Sequence, residues 1–188
     1  MTLLLAAFLL QAGSLEPAWT LERALAGSKA PPSILKQQQL VAVPYLGFDD
    51  VSRTGYLVVH RSLAKEVREI FDEIYKSGFQ IEKIVPIVAF DWDDHKSTTA
   101  NNSSGFNYRT ISGSTRMSQH AYGRAIDINP WQNPWESPRA KPGTQGPYVP
   151  GTLGTIERNG PVVRAFKRRG WTWGGDWKVR DYQHFEKR

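Results

Sequence analysis

Between Ser62 and Gly78 the apolar residues Leu63, Val67, Ile70, Phe71 and Ile74 recur at three- and four-residue intervals. That spacing predicts an amphipathic helix, with Ser62 as its cap and Gly78 as its stop. Upstream the pattern changes. LVAVPYL from Leu40 and GYLVVH at 55–60 read as strands, the first near an edge because Pro44 cannot donate a ladder bond. Downstream, IEKIVPIVAF at 81–90 reads as a buried extended segment, and residues 91–105 as a polar loop. FNYR through ISGS is expected to be a strand and turn. Residues 130–155, rich in proline and glycine, predict a long ordered loop. PVVRAFKRRG has Pro161 at its start and Gly170 at its end, the asymmetry of a short helix. DYQHFE, 181–186, closes the chain as a strand. Residues 15–39 carry Pro17, Pro31 and Pro32 and read as a lead-in with one short helix at LERALAG. No internal repeat is visible. Strands and helices without regular βαβ alternation define an α+β domain over residues 40–188, with helices against a mostly antiparallel sheet.

The apolar run from Leu3 to Leu10 is too short to cross a bilayer, which takes about 20 residues. It fits the apolar region of a secretory signal, with Ala12, Gly13 and Ser14 following, although no Lys or Arg precedes it. Residues 1–14 are therefore expected to be a signal peptide, and the protein to be exported to the periplasm or cell wall. Hydrophobic content of 40% and charged content of 22% exclude a disordered chain. Cysteine is absent, which excludes disulfides and thiolate metal sites, so any bound metal must use histidine and carboxylate. The net charge of +6 favours an anionic partner. The basic run RAFKRRG reads as a solvated helix face, with a binding patch as the alternative. No recognised nucleic-acid module accompanies the charge. Oligomeric state is not encoded legibly.

Two of the four histidines lie in segments that look built around them. His120 and Asp127 are seven residues apart with Gly123 between them, and glycine permits a sharp change of backbone direction there. Ile126 and Ile128 alternate with Asp127, which places the carboxylate on the face opposite the core. His184, from a neighbouring strand, completes a set of three nitrogen and oxygen donors, the number a catalytic zinc needs when its fourth position stays open. Asp181, three residues before His184, is the candidate proton acceptor for zinc-activated water, and Glu186 is its rival. His60 and His95 read as structural or exposed. The DWDD carboxylates read as a solvated loop rather than a cation site. Packing is the default role for Trp131, Trp135, Trp171, Trp173 and Trp177, with cleft lining as the alternative for some.

The pattern S-x-H-x-x-G-x-A-x-D followed by D-x-x-H-F-E resembles the VanY-type D-alanyl-D-alanine carboxypeptidases and the related L-alanyl-D-glutamate endopeptidases. These are grouped with lysostaphin-type enzymes and hedgehog as LAS zinc proteins. The resemblance runs from about Leu40 to the C-terminus and includes GYLVVH, NNSSGFNYR and WTWGGDW. It implies a hedgehog/D,D-peptidase-like fold with a mostly antiparallel central sheet and flanking helices. It implies zinc held by His120, Asp127 and His184, and peptidoglycan stem peptides as substrates. It also implies an arginine that orients substrate or stabilises an oxyanion, for which Arg109 matches and Arg116 is the alternative. Ser118 is expected to support the site by hydrogen bonding. Many D,D-carboxypeptidases of the group carry Glu where Asp181 stands, so aspartate leans toward the endopeptidase branch. A catalytically silent zinc-containing binding module of the same fold is the alternative function. A non-haem iron oxygenase fits less well, because its His and Asp usually stand two residues apart.

Overall fold

Residues 19–188 are described by a computed structural model. The expected signal peptide lies outside the described residues. Two short helices come first: α1 (Leu21–Leu25), capped by the Thr20 hydroxyl, and α2 (Pro32–Leu35), opened by proline. An antiparallel hairpin follows, β1 (Gln38–Leu46) with β2 (Ser52–His60). Pro44 stands opposite Thr54 in this two-stranded sheet, where both strands are edges and a missing N–H is tolerated. The strand period of two divides the hairpin's side chains between two clusters. Val41, Val43, Tyr45, Leu57 and Val59 enter the main core, while Leu40 and Val58 meet Leu21, Leu25, Ile34 and Phe106 on the other face. The helices ahead of the hairpin thus cover its second side.

Helix α3 (Ala64–Lys76) lays Val67, Ile70, Phe71 and Ile74 against the hairpin, as their spacing predicts. Each buried side chain of this size contributes about 1.5–3 kcal/mol. Ser62 does not cap α3. It sits in a 3-10 turn (Arg61–Leu63) whose cap is His60, and its hydroxyl bonds His60 Nδ1 at 2.7 Å. Gly78 follows the helix with φ +75°.

The next stretch departs from expectation. Only β3 (Lys83–Ile84) of the segment 81–90 is strand, and Ile87–Phe90 form a 3-10 turn. Residues 91–105 are not a plain loop: Asp93 accepts from the His95 and Lys96 amides and caps α4 (Asp94–Thr99), which leads into β4 (Asn102–Ser103). Asp91 pairs with Lys96 at 2.6 Å. FNYR forms no strand. Its amides find different partners in turn, Phe106 N donating to Val58 O and Asn107 N to His120 O.

The remaining elements are β5 (Ala125–Asp127), α5 (Pro161–Lys167), β6 (Thr172–Trp173) and β7 (His184–Glu186). They make an antiparallel sheet in the order β5–β7–β6, beside the β1–β2 hairpin and a parallel β3–β4 pair. The class is α+β, but the described residues form three small sheets instead of one central sheet. The reason lies at 104–110, where bonds alternate between β5, β2 and the 118–123 turn, so no ladder accumulates. Gly105 makes the closest approach; a Cβ there would lie 2.4 Å from Val58 O.

Helix α5 packs beside α3, and the basic run is used there. Arg168 and Arg169 both pair with Glu73 on α3, while Lys167 pairs with Asp176. The run is an exposed helix face, as expected, but Lys167, Arg168 and Arg169 are paired there rather than offered as an open binding patch. Residues 130–155 form no regular element, yet two buried amides fix them. Asn129 donates to Gln80 O and Gly154 O and accepts from Glu82 N. Asn133 donates to Gly154 O at 2.9 Å and accepts from Ile156 N at 2.7 Å.

Candidate active site

Ser118 opens the site as a cap. Its hydroxyl accepts from His120 N at 3.3 Å and starts the 3-10 turn Gln119–Tyr122. Gly123 ends that turn with φ +68°, and a Cβ there would lie 2.1 Å from Gln38 Oε1 and 2.5 Å from His60 N. Both conformation and space require glycine. The chain then reverses into β5, where Ile126 and Ile128 are fully buried on the core face and Asp127 faces the other way. Strand pairing does the rest: Asp127 stands opposite His184 in the β5–β7 register.

The three side chains converge. His120 Nε2 lies 3.0 Å from Asp127 Oδ2 and 3.3 Å from His184 Nδ1, and His184 Nδ1 lies 2.9 Å from Asp127 Oδ1. Donors about 2.0–2.2 Å from a tetrahedral zinc lie about 3.3–3.5 Å from one another; one ligand atom from each of the three residues lies within 4.8 Å of the other two, close enough to share such an ion. The outward nitrogens are held as well. His120 Nδ1 must donate to Gly105 O, a pure acceptor 2.6 Å away, and His184 Nε2 faces Glu186 Oε2 at 3.2 Å. Each bond leaves the inward nitrogen, Nε2 of His120 and Nδ1 of His184, to serve as ligand. A buried His–Asp–His group able to hold a metal ion is thus present.

Its electrostatics point the same way. Burial pushes the Asp127 carboxyl up, but the His120 and His184 imidazoles outweigh it and hold the group far below the usual range. Burial likewise opposes charge on His184, yet its bonds to Asp127 and Glu186 raise it to about 10. The cluster therefore attracts positive charge to its centre, a role a divalent cation fills in place of a proton.

This centre opens into a cavity of about 740 Å³ whose walls include Asp181, Arg109, Arg116, Trp135 and Trp177. Asp181 is brought beside the triangle by a turn in which its carbonyl accepts from His184 N. Its Oδ1 is buried and has no hydrogen-bond partner among the described residues. Burial pushes the Asp181 carboxyl up to about 7, against the opposing pull of His184 and with added repulsion from Asp127. Glu186 lines the same cavity but is placed differently. It stands behind His184 and is held low chiefly by the bond from that imidazole, with Arg188 on its other oxygen at 3.0 Å. Arg109 is steadied by Asp94, whose Oδ1 lies 2.9 Å from Nε as an ion pair rather than an aligned hydrogen bond. Asn107 donates to the same oxygen at 3.2 Å. Arg116 is more exposed and lacks such a brace.

Nothing in the residue pattern singles out Asp94 as a partner of Arg109. The cap Asp93 was the readable signal for a helix at this point, and that helix places Asp94 at its first turn, facing Arg109. Trp177 was foreseen only as one of several tryptophans; its ring lies 5.2 Å from that of His184, and it stays 38% exposed at the cavity wall. Trp171 and Trp173 are core. His60 bonds Gln37 and Ser62, and His95 is exposed at the cavity edge.

A buried His–Asp–His group at the base of an open cavity defines a candidate metal-dependent site. Residues 112–187 match a family described as D-alanyl-D-alanine carboxypeptidase, a peptidase family, and the match includes both halves of the motif. It supports the VanY-type resemblance carried by those motifs. Neither a curated protein nor a solved structure gives a significant match to the chain.

Proposed function

We propose that this protein is a zinc metallopeptidase that hydrolyses peptide bonds in peptidoglycan stem peptides, at D-Ala–D-Ala or L-Ala–D-Glu. The observation that carries the reading is the meeting of His120, Asp127 and His184 in one cavity with Asp181, whose Oδ1 has no partner among the described residues. Zinc at that triangle supplies Lewis acidity that makes water a nucleophile near neutral pH. Asp181 accepts the proton of the attacking water and returns it to the leaving amine. Arg109, fixed by Asp94, places a guanidinium where the carbonyl oxygen gains negative charge. Glu186 serves as an orienting partner of His184, because it meets the ring nitrogen that points away from the triangle. The apolar run Leu3–Leu10 and the basic balance favour an exported protein acting at an anionic wall. No helix among the described residues is long and apolar enough to cross a membrane.

Mass spectrometry of a defined muropeptide after digestion tests the whole reading. The expected result is one new cleavage, lost with a chelator, restored by zinc, and absent in His120→Ala. Binding of the muropeptide without any new amino terminus or released D-Ala would replace it with the silent binding module.

A further inference from the structure

The cavity's carboxylates and cations are unevenly engaged. Asp127 is held between the two histidines, Glu186 by His184 and Arg188, and Asp94 by Arg109. Asp181 faces the metal triangle. Three further cations line the same cavity, Arg116, Arg139 and Lys141, and all are exposed. Among the described residues none of them has a carboxylate within ion-pair distance.

Their arrangement is built rather than incidental. Arg116 closes a turn in which its carbonyl accepts from Ile111 N at 2.9 Å, with Thr110 and Met117 bridged beneath. Arg139 and Lys141 stand on a second turn, pinned by Arg139 N on Ser137 Oγ and by the Thr144 hydroxyl on Lys141 O at 2.7 Å. The two turns touch: the Arg139 side chain lies across Gly113, about 3 Å from where a Cβ would stand. Unpaired cations on two fixed turns therefore gather at the mouth of a cavity whose own anions lie deeper or are already partnered.

We propose that Arg116, Arg139 and Lys141 form a carboxylate-binding rim, which selects stem peptides that carry a free carboxylate near the scissile bond. The inference rests on the peptidase reading and adds a substrate feature to it. Two carboxylates can supply this chemistry, the α-carboxylate of a γ-linked D-Glu and the C-terminal carboxylate. An exposed ion pair contributes about 0.2–1 kcal/mol, so two cations on one carboxylate amount to a preference of about two- to thirtyfold.

The test uses L-Ala–γ-D-Glu–L-Lys–D-Ala–D-Ala as free acid, as the Glu α-carboxamide and as the C-terminal carboxamide. Cleavage by the zinc-loaded protein is followed by mass spectrometry, and binding by tryptophan fluorescence, since Trp135 and Trp177 line the cavity. Amidation at one of the two positions is expected to lower affinity and kcat/KM by about five- to tenfold. Which amide does so identifies the source. The same amide is expected to matter less than about twofold to Arg139→Ala/Lys141→Ala, whose turnover of that amide matches wild type. Equal handling of all three peptides by wild type, a preference that survives in the double variant, or no binding of any peptide overturns the rim. Binding with the expected preference but without cleavage upholds the rim and rejects the peptidase reading.

Discussion

Replacing Asp181 with Asn separates proton transfer from metal binding. Asn has the same shape and Asp181 is not one of the converging ligands, so the change leaves zinc content intact. General-base catalysis contributes about 10²–10⁴, and kcat/KM at pH 8 is expected to fall by that factor. In wild type the carboxyl is pushed up to about 7, so without the cation about half the molecules carry the base at pH 7 and about a tenth at pH 6. A bound cation moves this midpoint down, and the acid limb of wild type then falls about tenfold per pH unit below it. Asp181→Asn flattens that limb. Stability gives an independent reading of the same group. A carboxyl with a raised folded-state pKa contributes stability that is present below the ordinary carboxyl range and lost as pH rises through 7. The amide carries no such loss, so metal-free Asp181→Asn should melt above metal-free wild type at pH 8. Glu186→Gln retains an acceptor for His184, and its defect is expected to be about 10–100-fold and recoverable with excess zinc. If Asp181→Asn keeps more than a tenth of the activity, while Glu186→Gln loses as much as expected for Asp181 at saturating zinc, the base is misassigned.

Three further outcomes follow from the geometry. Because His184 is raised to about 10, metal entry at Nδ1 should release about one proton near neutral pH, and apparent zinc affinity should climb about tenfold per pH unit. Calorimetry in two buffers of different ionisation enthalpy measures this, and zero proton release contradicts it. Gly123→Ala should destabilise by at least about 2 kcal/mol, from left-handed strain plus a Cβ driven into Gln38 and the His60 amide, and should weaken zinc binding; an unchanged melting temperature is the adverse result. Asn133→Ala leaves the Ile156 amide without its acceptor and should cost about 1–3 kcal/mol, seen as a lower melting temperature and faster proteolysis within residues 130–155. Loop cleavage as slow as in wild type counts against it.

The features legible in the sequence are those whose cause is local. The α3 face repeats at helical spacing, and Pro161 and Gly170 bracket α5, so both could be read directly. His120 and Asp127 were readable as a pair because one glycine turn joins them. Their meeting with His184 needed the second segment, whose short strand β7 then falls opposite β5. The sheet was over-read. Residues 104–110 look strand-forming, but their bonds go to β5, β2 and the 118–123 turn one at a time, and no residue pattern encodes such a division. The Arg109–Asp94 pair stayed hidden for a related reason: it depends on where α4 points, not on spacing along the chain. The basic run at 164–170 is legible as an exposed helix face, but charge counts do not reveal its partners on a distant helix, here Glu73.

Asn129 and Asn133 hold the long loop by its backbone at Gly154, while its tip lines the cavity through Arg139, Lys141, Thr144 and Gln145 without supplying any of the three converging donors. If the proposed rim selects substrate, chemistry and choice of substrate are housed in separable parts of one polypeptide. On the proposed peptidase reading, exchanging that tip is expected to change which peptides are accepted while the His120–Asp127–His184 group stays as it is.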